Sequence, residues 1–212
     1  MYVAIVQARS SSTRMPGKVL KTICRKPMIL HQLERISKSK LIDSLVIATS
    51  SYETDDELAR VCINAGYKVF RGDLNNVLSR YYHAALQENA THIIRLTGDC
   101  PLSDPLLIDE MINFYQNNNF DYVSNAVEAT YPDGLDVEIF SMHVLQRMYI
   151  NATLNSELEH VTSYVHNNFD KFNCYEFKNK KYKYISKQDG IILETIDLSS
   201  MRWTVDEPED FN

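Results

Sequence analysis

Near the N-terminus the chain reads Tyr2-Val3-Ala4-Ile5-Val6-Gln7-Ala8-Arg9-Ser10-Ser11-Ser12-Thr13-Arg14-Met15-Pro16-Gly17-Lys18. The first five residues are a short apolar run, as a strand buried on both faces of a parallel sheet should be. The chain then turns polar at once, with three cations and four hydroxyl residues within ten positions. In an open α/β sheet, ligands sit beyond the carboxyl ends of the strands. Successive backbone N–H groups in such a loop can cradle phosphate oxygens. Arg9, Arg14 and Lys18 can neutralise a triphosphate, the arginines with bidentate geometry. The segment is not a Walker A loop, because Ser12 stands where the first glycine belongs and Val19 follows Lys18. The residues alone leave two readings open: an anion site, or a solvated polar loop.

Outward from this loop, strand and helix signals alternate, the mark of a parallel sheet covered by helices. Pro27 opens a helix with Ile29, Leu30, Leu33 and Ile36 at helical spacing. Residues 45–48 read as a second strand, and Thr54-Asp55-Asp56-Glu57 as a capping box for a helix ended by Gly66. Residues 68–70 make a third strand, and Val77, Leu78, Tyr81, Tyr82 and Ala85 the next helical face. Residues 92–96 form a fourth strand, and Asp104-Pro105 caps the helix after it. Residues 121–124 and 137–140 read as strands, and a capping box around Ser156 and Glu159 leads a helix with Val161, Tyr164 and Val165. Residues 181–196 suggest a hairpin around Asp189-Gly190. Residues 203–205 read as a last strand. Glu207-Pro208 opens a helix that stops at Asn212, so a C-terminal helix is expected to be missing.

The 212 residues suit one α/β domain, and an apolar fraction of 44% is that of a globular chain. The net charge of −6 argues against a nucleic-acid partner, although a local basic cluster can bind a small anion. The opening apolar run is too short for a signal peptide or a spanning helix. Cys24, Cys62, Cys100 and Cys174 make no C-x-x-C pair and no zinc pattern. Reduced thiols in a cytoplasmic protein are the expectation.

Three further segments carry chemistry. Asp99, in Thr97-Gly98-Asp99-Cys100-Pro101, follows a strand end, where a carboxylate can hold Mg²⁺ together with substrate phosphates. Asp206 could face the same crevice or merely cap a helix. In Tyr131-Pro132-Asp133-Gly134-Leu135-Asp136-Val137-Glu138, three carboxylates in six residues suggest contacts to a hydroxylated or amine-bearing acceptor. A plain Pro-Asp-Gly turn also accounts for Pro132 and Gly134.

Residues 7–20 closely resemble the opening Q-A-R-x-G-S-T-R-x-P-G-K-V-L of the cytidylyltransferase family that includes CMP-ketodeoxyoctonate and CMP-acylneuraminate synthetases. The likeness is to its SpsF-type (spore coat polysaccharide) branch. Residues 96–102 resemble the family's G-D-x-P segment, residues 205–210 its V-D-x-P-E-D, residues 131–138 its Y-P-D-G-L-D-V-E, and residues 159–162 its R-E-H-V-T. Ser11 replaces a usual glycine and Leu158 a usual arginine.

The resemblance implies a Rossmann-like three-layer α/β sandwich with a mostly parallel mixed sheet, and transfer of CMP from CTP to an acidic sugar. It assigns Mg²⁺ to Asp99 and Asp206, and catalysis to these two with Arg9 and Lys18. It places Gln7, Ala8, Arg9, Ser10, Ser12, Thr13, Arg14, Lys18, Arg71, Arg80 and Thr97 around the nucleotide. Asn125, Asp133, Asp136, Glu138, Glu159 and His160 fall on the acceptor side. The second half, about 125–200, would form the acceptor site and the arm of a homodimer. Three alternatives stay open: another nucleotide; a nucleotide-sugar glycosyltransferase, although the D-x-D expected of one is absent; and a nucleotide-binding module without turnover.

Overall fold

The first apolar run forms β1 (Tyr2–Gln7), with Val3 through Val6 wholly buried. The computed structural model of the chain describes residues 1–11, 14–186 and 190–211. Alternate side chains of β1 serve opposite faces, as a period of two demands: Ala4 and Val6 enter one core, Val3 and Ile5 the other.

In chain order the elements are β1, the two-residue strands β2 (Thr22–Ile23) and β3 (Lys26–Pro27), α1 (Met28–Ile36), β4 (Ser44–Ser50), α2 (Asp56–Asn64), β5 (Lys68–Gly72), α3 (Val77–Gln87), β6 (His92–Thr97) and α4 (Pro105–Gln116). The second half continues with β7 (Tyr122–Ser124), β8 (Glu138–Ser141), α5 (Met142–Asn151), α6 (Asn155–Glu159), α7 (Ser163–His166), β9 (Cys174–Glu176), β10 (Lys180–Ser186) and β11 (Gly190–Thr195). Seven strands make one sheet in the order β5-β4-β1-β6-β8-β7-β9. All neighbours run parallel except β8, which is antiparallel to both β6 and β7. Helices α1, α2 and α4 cover one face and α3, α5 and α7 the other, giving the expected three-layer, mixed-sheet sandwich.

The amphipathic spacing of α1 explains its place. Met28, Ile29, Leu33 and Ile36 are fully buried, each side chain contributing about 1.5–3 kcal/mol relative to exposure. The chain leaves β1 for β4 on one side and reaches β6 on the other, so β1 lies at the topological switch point. A crevice opens there beyond the carboxyl ends of the strands.

Several local expectations change. Residues 203–205 join no strand; Trp203 N donates to Asp133 O and Val205 N to Asp99 O, laying this stretch over the turns that carry those aspartates. Thr54-Asp55-Asp56-Glu57 is no capping box: a 3₁₀ turn spans Glu53–Asp55, and the Asp55 side chain points away from α2. The helix expected around Val161 breaks between α6 and α7, and Glu157, not Glu159, bonds the backbone at its start, accepting from Thr153 N and Leu154 N. β10 and β11 do pair antiparallel, with Asp189 of the expected turn outside the described residues. Among the described residues no helix is long and apolar enough to cross a membrane.

Candidate active site

After β1 the chain is pinned at both edges of the crevice. Ala8 N donates to Ala48 O at 3.2 Å, and Gly98 N to Gln7 O at 2.8 Å. Gly98 is there because a side chain cannot be: an added Cβ would lie 2.8 Å from Ala8 Cβ and 2.9 Å from Gln7 O. Farther on, Ser10 N donates to Asp55 Oδ1 at 2.7 Å. Asp55 is fully buried and also accepts from Ser50 N and the Ser50 hydroxyl. The loop closes where Gly17 N donates to Ser10 O at 2.8 Å. Gly17 has φ +70°, a conformation cheapest for glycine, and it directs Lys18 back under the strand ends. Ser11, which stands where relatives of this loop carry glycine, is not among the described residues with positive φ, which outside glycine are Cys24, Arg25 and Asn89.

Lys18 is the centre of the site. Only 7% exposed, its ammonium lies 3.2 Å from Asp99 Oδ2 and 2.5 Å from Asp206 Oδ1. Arg14 adds a contact of 3.1 Å to Asp206 and one of 3.3 Å to Glu207. Asp206 therefore does not cap the terminal turn; Asp210 does, accepting from Asp206 N and Glu207 N. Burial opposes the Asp99 charge, but Lys18 and hydrogen bonds from Thr97 and Cys100 outweigh it and hold the carboxyl below its usual pKa. Two carboxylates from distant segments thus converge on one cation, a donor set that suits Mg²⁺ bound with substrate phosphates. Among the described residues no three His, Cys, Asp or Glu side chains gather into a self-sufficient metal cage.

The remaining nucleotide-side residues divide. Arg9 pairs with Glu159 at 3.4 Å. With Gln7, Ala8, Arg80 and His160 these two line a cavity of about 110 Å³ beside the loop. Arg80 is buried there, its Nη1 held by Asp73 O and Leu74 O, and burial lowers its pKa. Arg71 is turned aside: it binds Ser50 O, Tyr52 O and Asp56. Ser12 and Thr13 lie outside the described residues.

On the other side of Thr97 lies a cavity of about 310 Å³. Asp136, Glu138 and His160 line it. Asn125 and Asp133 do not. The Asn125 amide is consumed by the backbone, donating to Leu135 O at 2.9 Å and accepting from Val137 N at 2.8 Å. Asp133 pairs with Arg202 at 2.8 Å and joins its turn to the C-terminal segment. The residue overlooked in the sequence is Arg95 of β6. It sits opposite Glu138 in the β6–β8 register and forms a buried ion pair with it, while the other Glu138 oxygen accepts from the Tyr122 hydroxyl. Burial works against both charges, yet each partner outweighs it: Arg95 titrates above its usual value and Glu138 below. A charge amid the apolar residues of β6 was the signal, since a buried arginine demands an anion.

A family model described as cytidylyltransferase matches residues 3–206. The spore coat polysaccharide biosynthesis protein SpsF of Bacillus subtilis is 39% identical over 170 residues, which is 77% of this chain and 69% of that one. The 3-deoxy-manno-octulosonate cytidylyltransferase of Geobacter sulfurreducens is 37% identical over 111 residues, 51% of this chain and 43% of that one. A solved cytidylyltransferase from Leptospira borgpetersenii superposes with a TM-score of 0.88 at 32% identity, covering 99% of this chain and 83% of the other.

Proposed function

The chain belongs to the cytidylyltransferase family, and on that premise we propose that it transfers CMP from CTP to a hydroxyl of an acidic sugar, releasing pyrophosphate, in the synthesis of a surface polysaccharide. The observation that carries this reading is the convergence of Asp99 and Asp206 on Lys18 at the mouth of the β1 loop. Relatives named for spore coat polysaccharide synthesis and for cytidylyl transfer to an octulosonate support the sugar acceptor.

In this chemistry the acceptor oxygen bonds to the α-phosphorus while the bond to the bridging oxygen of the β-phosphate breaks. Pyrophosphate leaves with that electron pair. Such a step needs positioning and charge neutralisation more than covalent catalysis. Asp99 and Asp206 would hold Mg²⁺, which supplies charge stabilisation at the α-phosphate and lowers the pKa of the attacking hydroxyl. Lys18, shared by the two carboxylates, would hold the β- and γ-phosphates. Arg9 and Arg14 exchange Glu159, Glu207 and Asp206 for phosphate oxygens. The cavity beside Thr97 holds the acceptor next to Asp99.

The test is pyrophosphate release from each of the four nucleoside triphosphates with Mg²⁺ and a panel of sugar acids. Release confined to CTP, and lost in Asp99→Asn with the fold retained, is expected. Full activity of Asp99→Asn would remove the metal assignment, and release with another triphosphate alone would replace cytidine.

A further inference from the structure

The buried face of α1 carries one polar residue. Met28, Ile29, Leu33 and Ile36 are apolar and fully buried, and Gln32 is buried to the same degree among them. Its Nε2 donates to Thr97 O at 2.7 Å and to Ser103 Oγ at 3.1 Å. Both N–H bonds are thereby used, and the reverse amide orientation would set two carbonyl oxygens against each other. Gln32 Oε1 is sealed from solvent and has no partner among the described residues. Methionine or leucine in that place would bury more apolar surface and leave no orphan. Packing therefore gives no account of Gln32, and a local rule broken in this way is expected beside a functional site.

What the amide grips is the turn that carries Asp99. Thr97 lies two residues before that carboxylate. After it, the buried Ser103 hydroxyl donates to Cys100 O at 2.9 Å. One amide thus brackets Asp99 on both sides in the chain. The Asp99 carbonyl in turn accepts from Val205 N at 2.8 Å and from Thr204 Oγ1 at 3.2 Å, and Asp206 follows directly. Gln32, the Asp99 turn and the Asp206 segment are linked in that order, so the hold on the turn bears on the spacing of the two carboxylates.

We propose that Gln32 is a positioning residue for the transfer: by holding Thr97 and Ser103 it sets where the Asp99 carboxylate stands relative to Asp206. This rests on the cytidylyl-transfer reading of the site. Gln32 is wholly out of solvent, so its effect passes through the turn. That effect falls on the chemical step, because a misplacement of about 1 Å at a group acting in the transition state can cost up to about 10²-fold in rate. Binding of CTP rests mainly on the loop of Arg9, Arg14 and Lys18 and is spared.

The test compares Gln32→Met, which keeps the length and removes the donor, with Ile36→Val, which loosens the same helix by one methyl group. Melting temperature, Mn²⁺ binding by electron paramagnetic resonance in the presence of CTP, and pyrophosphate release from CTP with saturating Mg²⁺ and a panel of sugar acids are measured for both. Gln32→Met loses its hydrogen bonds and its orphan together, so it should melt within about 4 °C of the wild type. Its kcat should fall about tenfold while the KM for CTP changes by about twofold at most. Its Mn²⁺ affinity should fall by about threefold or more. Ile36→Val should melt lower and keep the wild-type kcat and Mn²⁺ affinity. An unchanged kcat or an unchanged Mn²⁺ affinity in Gln32→Met overturns the proposal. So does a matching kcat loss in Ile36→Val, which would make helix looseness the cause, or a larger fall in the melting temperature of Gln32→Met, which would make Gln32 a residue of the fold alone. Mn²⁺ binding is read without turnover, which separates the two layers. In a wild type that binds Mn²⁺ but releases no pyrophosphate, the cytidylyl reading fails while the Mn²⁺ difference still decides the role of Gln32. A wild type that binds no Mn²⁺ removes the metal site and the proposal with it.

Discussion

Lys18 Nζ donates to Asp206 Oδ1 at 2.5 Å across 188 positions of sequence. The same ammonium reaches Asp99, so one lysine keeps two inward-facing carboxylates compatible before any ligand arrives. Lys18→Met removes that charge, and we expect a stability loss of roughly 3–5 kcal/mol, the cost of leaving buried charges without their partner. Mg²⁺ should raise the melting temperature of this variant more than that of the wild type. An identical Mg²⁺ response would show that the carboxylates do not share a cation site.

Lys18→Ala should raise the apparent KM for CTP more than the KM for the acceptor, because Lys18 lies on the nucleotide side of Asp99. Steady-state kinetics with each substrate varied in turn decides it. An unchanged nucleotide KM would count against the phosphate loop.

Asp55 is fully buried, yet it fixes the loop through Ser10 N and ties that loop to Ser50 at the end of β4. Asp55→Ala leaves buried donors unpaired at about 1–3 kcal/mol each, and a total loss of roughly 2–4 kcal/mol is expected from urea denaturation. Affinity for CTP should fall with it. A variant of wild-type stability and affinity would mean that the loop is held elsewhere.

Glu138→Leu strands Arg95 in the sheet. Breaking one side of such a buried pair costs about 3–5 kcal/mol, whereas replacing both partners by apolar groups costs far less. The double variant Arg95→Met/Glu138→Leu should therefore be more stable than Glu138→Leu alone. Additive losses in the double-mutant cycle would refute the coupling.

Asp136→Asn should stabilise the fold at neutral pH. The folded carboxyl titrates at about 6, above its ordinary 3.8, so its contribution is fully present below the unfolded value and is lost as pH rises through 6. The wild type is thereby weakened by up to roughly 2–3 kcal/mol at pH 7.5. Asparagine, which carries no charge, escapes the loss. Melting curves should diverge at pH 7.5 and converge near pH 4; divergence at low pH would mean a packing effect.

Much of the fold was legible because burial writes local patterns. The runs in β1, β4 and β6 are apolar on both faces because helices cover both, and the 3.6-residue period of α1, α3 and α4 needs no knowledge of their partners. The misreadings have a common origin. Asp55 lies inside what reads as a capping box led by Thr54, and it accepts from Ser10 and Ser50 instead. Asn125 looked like an acceptor residue and was consumed by Leu135 and Val137. A polar side chain has several chemically equal partners, and propinquity in the fold chooses among them.

By itself the sequence determined the alternation of strand and helix, the cationic loop after β1 and the carboxylates at Asp99 and Asp206, since each depends on residue type and short-range spacing. Tertiary structure alone decided that Lys18 stands between those carboxylates, that Glu138 cancels Arg95, and that Asp136 is left without a partner among the described residues. The reason is that electrostatic pairing acts over a few ångströms of space, and distances between residues far apart in the chain are set only when the whole sheet assembles.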